Sequence, residues 1–322
     1  MSPSLTARLE TGLRLVAEIP AALLVLAEIG VLLSGVIARY VLHTPLIWSD
    51  ELASILFLWL AMLGSVIALQ RGEHMRLTAV VAPFAPPARA RAEALTVAAV
   101  GLFLLMVVPS AWDYAADEWY IETPALGMHN TFRAMAIPVG AVLMLITALT
   151  RLLRLGWRDA MFGVAVVAGA AALLHLDAPL LQGFGNWNLV LFFVLLLGAA
   201  VLLSVPIGFA FGLATLAYLA TLTRTPLTVV VSRMDEGMSS LILLAVPLFV
   251  FLGLLIEMTG MARAMVSFLA ALLGHVRGGL SYVLLGAMYL VSGISGAVSR
   301  DEAAGRQRRR IGFTFICIRR DE

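Results

Sequence analysis

Of 322 residues, 61% are hydrophobic and only 13% charged, with a mean hydropathy of +0.97; soluble domains carry about 25% charged residues, so lipid must solvate most of this chain and a water-soluble catalytic module is excluded. All 22 basic residues are Arg, 15 of them against 16 acids up to Ser299 and 7 against 4 beyond it. The basic pI thus belongs to the final segment, and the body gives no reason to expect a nucleic-acid partner.

Roughly 20 apolar residues cross the ~30 Å hydrocarbon layer as a helix. Residues 1–18 hold no signal-peptide cleavage pattern, so the first apolar run, 15–41, reads as a retained helix. Further runs occupy 52–69, 94–111 and 134–155, with a weaker Ala- and Gly-rich fifth at 160–176. After these come a long stretch at 188–220 containing Pro206, then 241–258 and 280–298. The expected fold is an all-α polytopic membrane protein of about 7–8 transmembrane or re-entrant helices.

Arginine placement sets the orientation, because cytoplasmic loops carry the positive excess. Arg8 and Arg14 precede the first run, Arg71, Arg76, Arg89 and Arg91 follow the second, and Arg151, Arg154 and Arg158 follow the fourth. The alternate loops are acidic, so the N-terminus is expected in the cytoplasm. If 188–220 crosses once, as a long helix kinked near Pro206, then Arg224 and Arg233 fall inside as the rule prefers. Residues 112–133 form an acidic, aromatic outer segment, and 223–240 suit a helix lying along the bilayer surface.

Several residues carry more than one reading. Ser49 is a good N-cap before the second run, Asp50 and Glu51 fit the positive end of that helix, and Trp48 fits an interfacial anchor. His74, in a basic loop, reads as a solvated histidine. Glu28 is the one carboxylate well inside the first run. It is a functional candidate by default, or else it contributes a hydrogen bond between helices. Five scattered His and one Cys, Cys317 in the final segment, offer no haem pair and no Cys-based metal site or disulfide in the body.

Between 186 and 299, Val205-Pro-Ile-Gly-Phe209, Ala245-Val-Pro-Leu-Phe249 and Ser292-Gly-Ile-Ser-Gly296 interrupt apolar runs. Pro206, Gly208 and Pro247 are the expected helix-breaking positions, each of which alone is also an ordinary packing kink. Broken helices free backbone groups that a bound ion or neighbouring helix must satisfy. Secondary transporters build substrate and sodium sites this way. Ser292, Gly293, Ile294, Ser295 and Gly296 are therefore the candidate ion or substrate site.

Trp48-Ser-Asp-Glu51, Phe57-x-Trp59, Gly64, Gly72-Glu-His74 and Pro138-Val-Gly140 resemble the small four-helix membrane subunit of tripartite ATP-independent periplasmic (TRAP) transporters. The motifs after Val205, with Gly253, Gly260 and Gly274-x-x-x-Gly278-Gly279, resemble the start of that family's large membrane subunit. The resemblance implies a small-subunit-like region at 1–158, a connecting helix at 159–186 and a large-subunit-like region at 187–299, followed by an aberrant charged tail at 300–322. Trp48, Ser49, Asp50, Glu51, Trp59 and His74 would be its structural or subunit-interface motif.

It further implies an inner-membrane permease, not an enzyme, that takes up organic acids such as dicarboxylates by sodium symport. A periplasmic solute-binding protein would deliver the substrate, and sodium is the only ion expected. The large subunit would move in an elevator-like fashion while the small subunit braces it in membrane lipid. Two departures stand out: Ala297 replaces the last Ser of the family's Gly-Ile-Ser-Gly-Ser segment, and the family's second, inverted half does not follow. A frameshift would produce such a junction. The expectation is that the chain alone does not transport and that the remainder of the large subunit is a needed partner. The other readings are a regulatory basic tail, and a membrane scaffold or assembly subunit with no transport cycle of its own.

Overall fold

The structure, a computed structural model, describes residues 3–240, 242–273, 282–283, 285–286 and 288–289. It divides into two compact units, 1–241 and 242–322. Among the described residues there are helices and no strands, apart from one isolated bridge between Glu122 and His129. The molecule is an all-α polytopic membrane protein.

In the first unit, α1 runs from Pro3 to Tyr40, α2 from Ile47 to Arg71, α3 from Pro86 to Asp117, α4 from Ala136 to Arg154 and α5 from Trp157 to Leu176. Each contains a stretch long and apolar enough to cross a membrane. Shorter helices follow: α6 at Trp187–Leu202, with a π-helical segment at Leu191–Leu196; α7 at Ile207–Leu222; and α8 at Thr228–Met238. α1 packs on α2, α2 on α4, and α3 on both α4 and α5. Leu58, Met62 and Val66 of α2, Phe103 and Val107 of α3, Ile137 and Met144 of α4 and Phe209 of α7 close one apolar core.

The helices approach closely where small residues allow it. Lipid tails are as apolar as Leu, so helix association in a membrane rests on packing between backbones. A Cβ on Gly140 would lie 2.7 Å from the Met62 side chain, and one on Gly35 would lie 2.8 Å from Ser49 Oγ. Ser49 is correspondingly buried. It is not the N-cap of α2, since Leu46 occupies that place without a side-chain cap. Its hydroxyl instead donates to the Leu46 carbonyl at 2.7 Å. The helix begins two residues ahead of Ser49, which turns that small side chain onto α1.

The run at 188–220 is not a single kinked crossing. α6 ends at Leu202, the chain reverses, and α7 returns so that the Phe192 and Tyr218 rings meet edge to face at 5.6 Å. Each arm is 16 residues or fewer, about 24 Å at 1.5 Å rise. Two arms from one apolar run place α8 opposite to the side expected from a single crossing. Arg224 and Arg233 therefore fall on the side of Arg133, not with the basic loops.

In the second unit, α9 (Ala245–Met258) and α10 (Met261–Leu273) are joined through Gly260, whose φ of +71° suits glycine. Pro247 lies in the first turn of α9, where its missing amide costs nothing, so it begins a helix and does not break one. The candidate residues Ser292, Gly293, Ile294, Ser295 and Gly296 lie outside the described residues, as does the segment 300–322.

Candidate functional site

The α6–α7 hairpin is tied by hydrogen bonds to α3 and to the loop after α2. At the tip of the hairpin, the Val205 amide donates to the Ala200 carbonyl and the Ser204 amide to the Val201 carbonyl, both at 3.0 Å. Ser204 has a φ of +68°. This is the helix-ending arrangement in which glycine usually takes the left-handed position. A serine stands there because its hydroxyl has a partner, the Leu77 carbonyl at 2.7 Å.

In an uninterrupted helix the Ile207 amide would bind the Leu203 carbonyl. Pro206 ends that ladder, and both freed groups find partners outside the hairpin. Ile207 donates to the Met75 carbonyl at 3.1 Å, and Thr96 Oγ1 donates to the Leu203 carbonyl at 3.0 Å. Broken helices persist at membrane depth only when protein satisfies the freed backbone, and here the loop after α2 and the body of α3 do so. Pro206 is thus a true break, acting as the N-cap of α7. Gly208 is not needed for close approach, since a Cβ there would meet nothing within 4 Å.

His74 sits beside this break and is not solvated. It is half-buried, its Nε2 lies 3.1 Å from the Ser65 carbonyl, and its ring meets the Phe209 ring at 5.3 Å, edge to face. Next to it is a cavity of about 30 Å³ lined in part by Gly72, Thr96, Arg151 and Pro206. Burial lowers the pKa of His74 from its ordinary 6.5, against a raising contribution from the Ser65 carbonyl and with a lowering one from Arg151. A group charged less readily in the folded state leaves stability constant above the unfolded pKa. Below about pH 6.5 the unfolded chain takes up the proton first, and stability falls. Wild-type protein should therefore lose more thermal stability than His74→Gln between about pH 7.5 and pH 5.5, measured by unfolding in detergent. Parallel profiles would show that the ring is solvated after all.

On the opposite, acidic face a second tie joins α8 to α3 and to the segment that precedes α4. Asp235 of α8 is 2% exposed. Its Oδ2 accepts from Arg133 Nη2 at 2.6 Å and from the Tyr114 hydroxyl at 2.7 Å. Ser239 closes the group, with its Oγ 3.2 Å from Asp235 Oδ1 and a contact to Arg133. Arg133 also donates through Nε to Asn130 Oδ1 at 3.0 Å. Neither Asp235 nor Tyr114 stands out in the sequence. The available signal was Arg133 itself, a lone cation in an acidic outer segment.

The motif opening α2 divides its labour. Glu51 Oε2 accepts from the Ala125 and Leu126 amides at 2.8 and 3.0 Å, pinning the turn that precedes Gly127. Trp59 Nε1 donates to the Phe132 carbonyl at 2.9 Å, holding the other end of that segment. Asp50 forms an exposed pair with Arg39 at 3.4 Å, and Trp48 is 38% exposed, as an interfacial anchor would be. The structure gathers Glu51 and Trp59 onto one outer segment, puts His74 at the opposite face, and turns Ser49 toward α1. The six do not form a single site.

Glu28 is 0% exposed, and neither carboxylate oxygen has a hydrogen-bond partner. Of its two readings, the one that gives it an interhelical hydrogen bond finds no partner here. An apolar side chain of similar size removes the cost of burying an unpartnered polar group, about 1–3 kcal/mol. Glu28→Leu should accordingly raise the unfolding midpoint in detergent, whereas a fall would show that the carboxyl has an unseen stabilising role. No group of three or more His, Cys, Asp or Glu suited to a metal occurs among the described residues.

Comparison with known proteins bears directly on this joint. Residues 28–158 match the family described as tripartite ATP-independent periplasmic transporters, DctQ component, and residues 189–305 match the DctM component of the same transporters. The two matches meet across the contacts described above. The chain belongs to the TRAP transporter family, with its small and large membrane subunits fused.

This TRAP permease chain is 27% identical over 290 residues to the sialic acid TRAP transporter permease protein SiaT of Haemophilus influenzae, covering 86% of this chain and 47% of that protein. It is 25% identical over 264 residues to the isethionate TRAP transporter permease protein DctMQ of Oleidesulfovibrio alaskensis, covering 78% and 39%. The C4-dicarboxylate TRAP transporter large permease protein DctM of Rhodobacter capsulatus is 32% identical over 102 residues, covering 32% and 23%. The chain spans about half the length of the fused relatives it matches, or less. Its family is one of transporter permeases, multi-pass in the bacterial inner membrane.

Proposed function

We propose that this chain is the membrane permease component of a sodium-coupled secondary transporter that receives an organic acid from a periplasmic solute-binding protein. The observation that carries this reading is the doubly tied joint. The DctQ-like helices satisfy the broken backbone of the first DctM-like hairpin at one face and hold Asp235 at the other. A brace of that kind fixes one end of a moving transport unit, so that the remainder can shift against it. Sialic acid, isethionate and C4-dicarboxylates, named for the relatives, are all organic anions, which supports the substrate class. The carboxylate itself and the sodium ion are parts of the proposal, with Ser292 to Gly296 as their candidate site.

The test is uptake into proteoliposomes by this chain together with the large-subunit segment that follows the aligned region in its relatives. Labelled sialic acid or a C4-dicarboxylate is supplied with its binding protein. The expected result is accumulation that requires both an inward sodium gradient and the binding protein. Accumulation indifferent to either one overturns the mechanism.

A further inference from the structure

At the basic face, α1, α2 and α4, with Glu93 of α3, enclose a cleft of about 460 Å³. Small-ligand pockets are typically about 300–1,000 Å³. Four arginines line it: Arg14, Arg71, Arg151 and Arg154. Two carboxylates are already engaged, since Glu18 is shared by Arg14 at 3.0 Å and Arg71 at 2.6 Å, and Glu10 pairs with Arg154 at 2.5 Å. The third, Glu93, is exposed.

Arg151 forms no ion pair among the described residues, and its guanidinium donates to the Gln70 carbonyl at 3.1 Å. The side-chain amide nitrogen of Gln70, also at the cleft, is buried without a hydrogen-bond partner. The site therefore holds unspent donors and an excess of positive charge, and no unengaged buried carboxylate. It lies where the membrane-competent parts of α1, α2 and α4 begin or end, at Glu10, Arg71 and Arg154. Leu13 and Leu155 supply apolar walls.

We propose that this cleft binds the phosphate of an anionic phospholipid headgroup. Arginine forks match phosphate oxygens bidentately, and basic pockets between helices on the cytoplasmic side suit such headgroups. The acyl chains would lie along the apolar flank of the bundle. The ligand clamps four helices of the DctQ-like region at the end opposite to the Asp235 cluster, a role distinct from substrate transport.

The experiment uses the full chain purified in detergent and follows the unfolding midpoint as dioleoylphosphatidylglycerol, dioleoylphosphatidylcholine or inorganic phosphate is added. Phosphatidylglycerol should raise the midpoint and phosphatidylcholine should not. Arg14→Gln and Arg154→Gln, whose wild-type side chains are 65% and 48% exposed, should fold and weaken the apparent affinity about fivefold each. Arg151→Gln should weaken it about tenfold or more, as loss of a charge-assisted bond does. A full response to inorganic phosphate alone would also support the phosphate site and assign its source to a soluble anion. Equal responses to the two lipids, or variants that respond as wild type does, overturn the proposal.

Discussion

Asp235→Asn should lower the unfolding midpoint of the detergent-purified protein by roughly 10 °C, at about 2–4 °C per kcal/mol for a chain of this size. Removing one partner of a buried ion pair strands the other charge, at a cost of about 3–5 kcal/mol. Arg133 and Asp235 have side-chain exposures of 17% and 3%, so neither is well screened by water. Arg133→Gln should cost a similar amount. In the double variant no charge remains buried, so much of the loss should return. Tyr114→Phe removes one hydrogen bond to the carboxylate and should cost about 1–3 kcal/mol. The recovery in the double variant is the decisive measurement. Additive losses would mean that the two residues stabilise different things and that Asp235 is not what ties α8 to Arg133.

The spans of the first five helices were legible because their signal is a length. An apolar run near 20 residues bounded by charge has one economical solution in lipid, and Arg alternation orders the loops. At 188–220 the same signal misleads. Hydropathy does not distinguish a helix kinked at Pro206 from one that reverses there, because it registers apolarity along the chain and not the chain's direction. What decides is whether the Leu203 carbonyl and the Ile207 amide find partners. Those partners, Thr96 and the Met75 carbonyl, lie more than a hundred residues back in the chain. The arginine rule reinforces the misreading, because it prefers the single crossing that puts Arg224 and Arg233 inside over the two crossings that put them outside. Arg233 is exposed and paired with Glu236, so it carries little topological weight.

The motifs were legible as motifs, but not in their tasks. Trp48-Ser-Asp-Glu51 reads as a helix start, and α2 does start there. Yet Ser49 serves a helix contact and Glu51 a turn 74 residues away, neither of which follows from local capping chemistry. His74 shows the same limit from the other direction. A lone histidine in a basic loop gives no sign of burial, which comes from Phe209 of a later helix. The Asp235 cluster was invisible because its members are spread over three elements.

The fifth span is rich in Ala and Gly, a weak membrane signal, yet α5 packs along α3 at a backbone-to-backbone approach. A Cβ on Gly163 would lie 2.7 Å from both the carbonyl carbon and oxygen of Ala94. Backbone cannot rotate aside as a side chain can, so Gly163→Val must push the helices apart. Overpacking a tight contact costs about 1–3 kcal/mol, occasionally more, and here it acts on the helix that links the DctQ-like and DctM-like parts. Gly169→Val, on the same helix with nothing within 4 Å of its Cβ, supplies the control, because it carries the same change in helix propensity without the clash. Gly163→Val should therefore melt several degrees below Gly169→Val in detergent. It should also expose the α4–α5 connection at Leu155 and Gly156 to limited proteolysis. If the two variants melt together, close approach to Ala94 is not what holds α5 in place, and the small residues of that span serve lipid contact instead.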